Sequence, residues 1–64
     1  MKKEEEYSEW EGNVVYELEK LLDITTSDAQ GMVGAQPFKM QQSWGKDINA
    51  KITAKIIEKE SRKH

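Results

Sequence analysis

The chain contains no cysteine, and its one histidine is His64, the last residue. Without cysteine there is no disulfide, no thiolate metal site and no thiol nucleophile. With a single terminal histidine, imidazole zinc sites and serine–histidine or cysteine–histidine triads are excluded too. Proline occurs once, at Pro37, so the sequence offers one strong helix breaker. No apolar run approaches the roughly 18 residues of a membrane-spanning helix. Met1, Lys2 and Lys3 lead into three glutamates with no apolar stretch behind them, so no secretory signal is expected and the expected location is cytoplasmic.

What remains is a chain of 64 residues, 36% apolar and 34% charged. That length holds one hydrophobic core at most. The apolar share is close to that of ordinary domains, which favours a folded chain over a disordered one. The net charge of −2 hides an asymmetry. Residues 1 to 32 carry three lysines against nine acids, giving −6, and residues 33 to 64 carry seven bases against three acids, giving +4. Such a division fits an acidic arm with a basic binding surface, two helices side by side, or two copies pairing head to tail.

Helical periodicity dominates. Trp10, Val14, Leu18, Leu21 and Leu22 fall within roughly 120° on a helical wheel, which predicts a helix over residues 9 to 22. Ser8 and Glu11 have capping-box spacing at its start. Asp23, Thr25 and Thr26 interrupt the pattern, and Ser27 with Gln30 suggests a second capping box. Ala29, Val33, Pro37, Met40 and Trp44 keep one phase through the proline. That continuity predicts a single second helix over 28 to 44, kinked at Pro37 and stopped by Gly45. A third helix is expected from an Asp47 cap to about residue 60, with Ile48, Ile52 and Ile56 recurring every four residues.

The expected fold is therefore all-α: a three-helix bundle over residues 8 to 60. Flexible charged residues 1 to 7 precede it, and a polar basic tail, 61 to 64, follows. The expected core is Trp10, Val14, Leu18, Leu21, Leu22, Val33, Met40, Trp44, Ile48, Ile52 and Ile56. So thin a core, without disulfide or metal, makes a second copy a natural source of stability.

Little in the sequence suggests catalysis. Glu17 and Glu19 lie off the apolar stripe, where a solvated face is the plain reading. Ser8 and Ser27 are accounted for as caps, and Ser43 and Ser61 have no base near them. No enzyme activity, metal, cofactor or small-molecule substrate is expected. Gly31 and Gly34 lack the third glycine and the preceding strand of a dinucleotide motif. Inside a helix they cost about 2 kcal/mol together, which close approach of another helix would offset.

Two surfaces remain as candidates. Tyr16 and Phe38 fall off their helical stripes, and Ala50, Ala54 and Ile57 widen the apolar arc of the third helix to about 240°. These five residues form the first candidate, a surface for a protein partner or a second copy. Lys51, Lys55, Lys59 and Arg62 form a cationic ridge at helical spacing, the second candidate, suited to nucleic-acid phosphates. Against the second stand the pairs Asp47–Lys51, Glu58–Arg62 and Glu60–His64, the missing aromatic interleaving, and an acid at the head of the would-be recognition helix. The functional expectation is a small non-enzymatic protein-binding module, homodimeric in one version, with a nucleic-acid-associated protein as the alternative.

Overall fold

The computed structural model describes residues 6–62. Four helices follow in chain order: α1 (Tyr7–Leu22), α2 (Thr26–Ala35), α3 (Pro37–Gly45) and α4 (Ala50–Ser61). No strand occurs among the described residues. The all-α expectation holds, but the count is four helices and not three.

Helix α1 begins at Tyr7, so Ser8 lies inside it and the expected Ser8–Glu11 cap does not form; Glu6 precedes the helix without a side-chain capping bond. Aromatic packing takes the place of the cap. An earlier start puts Tyr7 on the same face as Trp10. Its ring sits 5.6 Å from that of Trp10 and 5.1 Å from that of Trp44, the latter edge-on at 90°. Such pairs contribute about 0.5–1.5 kcal/mol beyond the area they bury. The expected stripe is otherwise largely present: Trp10, Val14 and Leu18 are fully buried, joined by Val15. The indole Nε1–H of Trp10 donates to the Ile48 carbonyl at 3.1 Å, which satisfies its one polar group and ties the α3–α4 loop to α1.

The helix stops at Asp23, which adopts a left-handed conformation (φ 57°, ψ 49°). The Asp23 N–H and, at 3.3 Å, the Ile24 N–H both donate to the Glu19 carbonyl. This closure satisfies an end carbonyl, and aspartate tolerates the left-handed region better than most residues. Extended backbone at Thr25 (φ −76°, ψ 162°) follows, and its hydroxyl accepts the Asp28 N–H at 3.2 Å. Thr25 is thus the cap, and the Ser27–Gln30 box is not used. The Thr26 hydroxyl donates to the Glu19 carboxylate at 2.8 Å and fastens the loop from its other side.

The single kinked helix over 28 to 44 is replaced by two. Gln36 (φ −130°, ψ 57°) leaves the helical region, and Pro37 becomes the first residue of α3. Proline disfavours helical backbone in the residue before it, and at a first helical position its missing N–H costs nothing. Gln36 bridges the break: its N–H donates to the Val33 carbonyl and its carbonyl accepts the Met40 N–H. Its side-chain Nε2 donates to the Ile57 carbonyl at 3.2 Å, anchoring the junction on α4. Ala29, Val33 and Met40 are all buried, so the apolar phase does survive, across a one-residue interruption.

Gly45 ends α3 but is not its left-handed stop, because that place falls to Asp47 (φ 62°). The Asp47 N–H reaches the Trp44 carbonyl and the Ile48 N–H reaches the Ser43 carbonyl, a Schellman closure. Asn49, not Asp47, caps α4, its Oδ1 accepting the Ile52 N–H at 2.9 Å.

Helix α4 is rotated from its expected phase. Its buried residues are Thr53, Ala54 and Ile57, whereas Ile52 is 49% exposed and Ile56 half-buried. The inward face combines two small residues, Thr53 and Ala54, with the larger Ile57, and Ala54 and Ile57 join Trp10, Val14 and Leu18 in one core. The Thr53 hydroxyl donates to the Asn49 carbonyl at 2.9 Å, so its burial leaves no polar group unpaired. Leu21 is likewise outside the core, at 45% exposure, while Leu22, Trp44 and Ile48 are half-buried.

Helix α1 is the spine. Gln30, Val33 and Gly34 of α2 share a groove with Ser8, Gly12 and Val15 of α1, as the short 23–25 loop requires. On the other side, Trp10 meets Ile48 and the segment from Glu17 to Leu21 lies beside the segment from Lys51 to Lys55, so α1 and α4 run in the same sense. Helix α3 closes on α4 through the Lys39–Glu60 ion pair at 3.6 Å. Among the described residues no helix is long and apolar enough to cross a membrane. Of the expected flexible start Glu6 and Tyr7 are described, and of the expected basic tail Ser61 and Arg62; Tyr7 and Ser61 are helical, and the rest lies outside the described residues.

Candidate functional site

Of the five expected partner-surface residues, two face outward. Tyr16 is 55% and Phe38 69% exposed. Ala50 is half-buried, and Ala54 and Ile57 belong to the core. The wide arc of α4 thus has a mundane cause on its inner side, where α1, α2 and α3 all touch the helix.

The cationic ridge is better preserved. Lys51, Lys55 and Lys59 are exposed on α4 and form no ion pair among the described residues. Asp47 lies before the helix in a left-handed turn, so its expected helical pairing with Lys51 does not arise. Arg62 differs, because its Nε stands 2.7 Å from Glu58 Oε2 and its charge is matched locally. The expected Glu60–His64 pair involves a residue outside the described range, and Glu60 meets Lys39.

A surface that neither candidate pattern marks joins these features. A shallow groove of about 250 Å³ runs between α1 and α4, lined by Glu17, Lys20, Leu21, Lys51, Ala54 and Lys55. Leu21 and Ala54 are its apolar part. Lys20 rims it from α1, and Lys51 and Lys55 from α4. Beyond Lys20 lies Tyr16, with the Lys20 ammonium 4.8 Å from its ring centroid. Ile52 follows Lys51 on the outer face of α4. Three of the four exposed large apolar side chains, Tyr16, Leu21 and Ile52, are therefore carried by the two helices that form this groove.

The helical wheel contains the missed signal. Ile52 lies within roughly 20° of Lys59 and 60° of Lys55, at 100° per residue. A residue so close to two lysines does not share a core stripe unless the lysines are buried as well. The fourfold spacing of the isoleucines and that of the lysines cannot both be read as opposite faces.

Two other hollows lack this convergence. The α1/α2 groove, about 330 Å³, is floored by Val15 and Val33 and edged by Gly12 and Gly34, with no cation. The hollow between α2 and the end of α4, about 570 Å³, includes Met32 but is open, with one acid on either side, Asp28 and Glu60. Among the described residues no three histidine, cysteine or acidic side chains gather as a metal site.

These features define a small four-helix protein with a cationic, partly apolar face on α1 and α4. No family model matches the chain, and no curated protein or solved structure is significantly similar to it.

Proposed function

We propose that this protein is a non-enzymatic binding module whose α1/α4 face contacts another protein. The observation that carries this reading is the placement of Leu21, a large aliphatic residue held 45% exposed in the groove beside Lys20, Lys51 and Lys55. Apolar area left in water forgoes about 25 cal/mol per Å² that a partner would recover. Apolar patches edged by polar groups are a common feature of interaction sites. The groove is smaller than the roughly 300–1,000 Å³ typical of small-molecule sites, which favours a single side chain of a larger partner over an enclosed ligand.

A nucleic-acid surface is the second reading, favoured by the exposure of Lys51, Lys55 and Lys59. One experiment separates the two. A photoreactive residue at Leu21, with the same residue at exposed Gln42 on α3 as control, is activated in extracts of the native cells. The binding module predicts a protease-sensitive adduct at position 21 and none at position 42. A nuclease-sensitive adduct would favour nucleic acid, and no adduct at position 21 would refute both.

A further inference from the structure

We infer that the partner segment seated in the α1/α4 groove is acidic and amphipathic, placing one apolar side chain on Leu21 and Ala54 and carboxylates against Lys20, Lys51 and Lys55. This rests on the protein-binding reading above and adds the chemistry of the partner.

Charge and spacing carry the inference. Three lysines and one carboxylate, Glu17, line the groove, an excess of two positive charges. Lys51 and Lys55 are one helical turn apart, about 6 Å along the axis. Two carboxylates at positions i and i+4 of a docked helix have the same spacing. Fields are screened beyond about 8 Å at physiological salt, so only carboxylates seated in the groove gain from the lysines. The apolar floor distinguishes this partner from nucleic acid. A phosphate backbone satisfies the lysines but gains nothing from Leu21 and Ala54 and meets Glu17 unfavourably. The groove volume, about 250 Å³, suits one branched or aromatic anchor.

The test uses the full chain, isotope-labelled, and a synthetic helical peptide with glutamates at i and i+4 and a leucine on the same face. Amide shifts should cluster at Leu21, Lys51 and Lys55. Replacing the two glutamates by glutamine should weaken binding roughly two- to thirtyfold, the range expected for two exposed ion pairs. Replacing the leucine by serine should weaken it as well. A charge-swapped pair guards against a misfolded variant: the Lys51→Glu/Lys55→Glu protein should lose the glutamate peptide and gain the same peptide carrying lysines. Absence of binding at millimolar peptide, or equal binding by the glutamine version, overturns the inference. So does a 12-base-pair DNA duplex that shifts the same amides more strongly at about 150 mM salt. A dimer that dissociates on Leu21→Ser overturns it in favour of a second copy. The crosslink at Leu21 reads the underlying proposal separately, because a protein adduct there together with a silent acidic peptide removes only the partner's chemistry.

Discussion

Asp23 and Asp47 stand where glycine most often ends a helix. Both have positive φ, 57° and 62°, and both sit at the C-terminal end of a helix, where the dipole disfavours an acid. Replacing Asp23 with glycine relieves two costs at once. Asp23→Gly is predicted to stabilise the fold by about 0.5–1 kcal/mol, read as a raised urea midpoint with unchanged slope. A lowered midpoint would contradict the assigned backbone. Tyr7 makes a different prediction. Burial first, and the Glu11 carboxylate second, raise the pKa of its phenol above the usual 10.0. Above pH 10 the unfolded chain therefore loses this proton more readily than the folded one, and stability falls as pH rises through that range. At neutral pH the group contributes nothing to the slope. Tyr7→Phe should make the alkaline decline shallower, and an unchanged decline would show that the phenol is not its source.

At the scale of the element, the helices were legible in the sequence and their ends were not. Trp10, Val14 and Leu18 marked the inner face of α1 correctly because a long helix repeats its pattern over four turns. The caps were misjudged because several residues could serve. Ser8 and Thr25 both precede acids, and what decided between cap and helix interior was tertiary: the rings of Trp10 and Trp44 hold Tyr7 inside α1. The apolar phase that continues beyond Pro37 fits a kink as well as a break. The side chain of Gln36, bonded to α4 twenty-one residues away in sequence, makes the break affordable, and no local pattern announces that bond. The cap assignment is testable in pairs. Thr25→Ala should cost about 1 kcal/mol and Ser27→Ala much less, and Asn49→Ala should cost about 1 kcal/mol. Equal costs at positions 25 and 27 would contradict the assigned start of α2. The glycines of α1 and α2 give a second test. A Cβ at Gly12, Gly31 or Gly34 would meet nothing within 4 Å, and none has positive φ. Each change to alanine is predicted to stabilise the protein by up to about 1 kcal/mol in thermal unfolding.

At the scale of the molecule, the asymmetry of charge acquires a location. The acidic half supplies α1, and the basic half supplies the outer face of α4. Where those two helices meet, Lys20 of the acidic half joins Lys51 and Lys55 to make a cationic groove. Lys51, Lys55 and Ala54 of this site are legible in the sequence as candidates, whereas Lys20 is not, and Leu21 on its apolar stripe is in the right residue class for a core. The burial of Thr53, Ala54 and Ile57 turns Ile52 outward. The same rotation of α4 places Lys51, Ala54 and Lys55 at the groove.

The most direct measurement is therefore equilibrium unfolding of Ile52→Asn beside Ile57→Asn. Ile57 is fully buried and Ile52 about half exposed. The rotated helix predicts that Ile57→Asn costs about 3 kcal/mol or more, through lost packing and a polar group placed in the core, while Ile52→Asn costs about 1 kcal/mol or less. The reverse order would put Ile52 in the core and turn Lys51, Ala54 and Lys55 away from the positions that line the proposed groove.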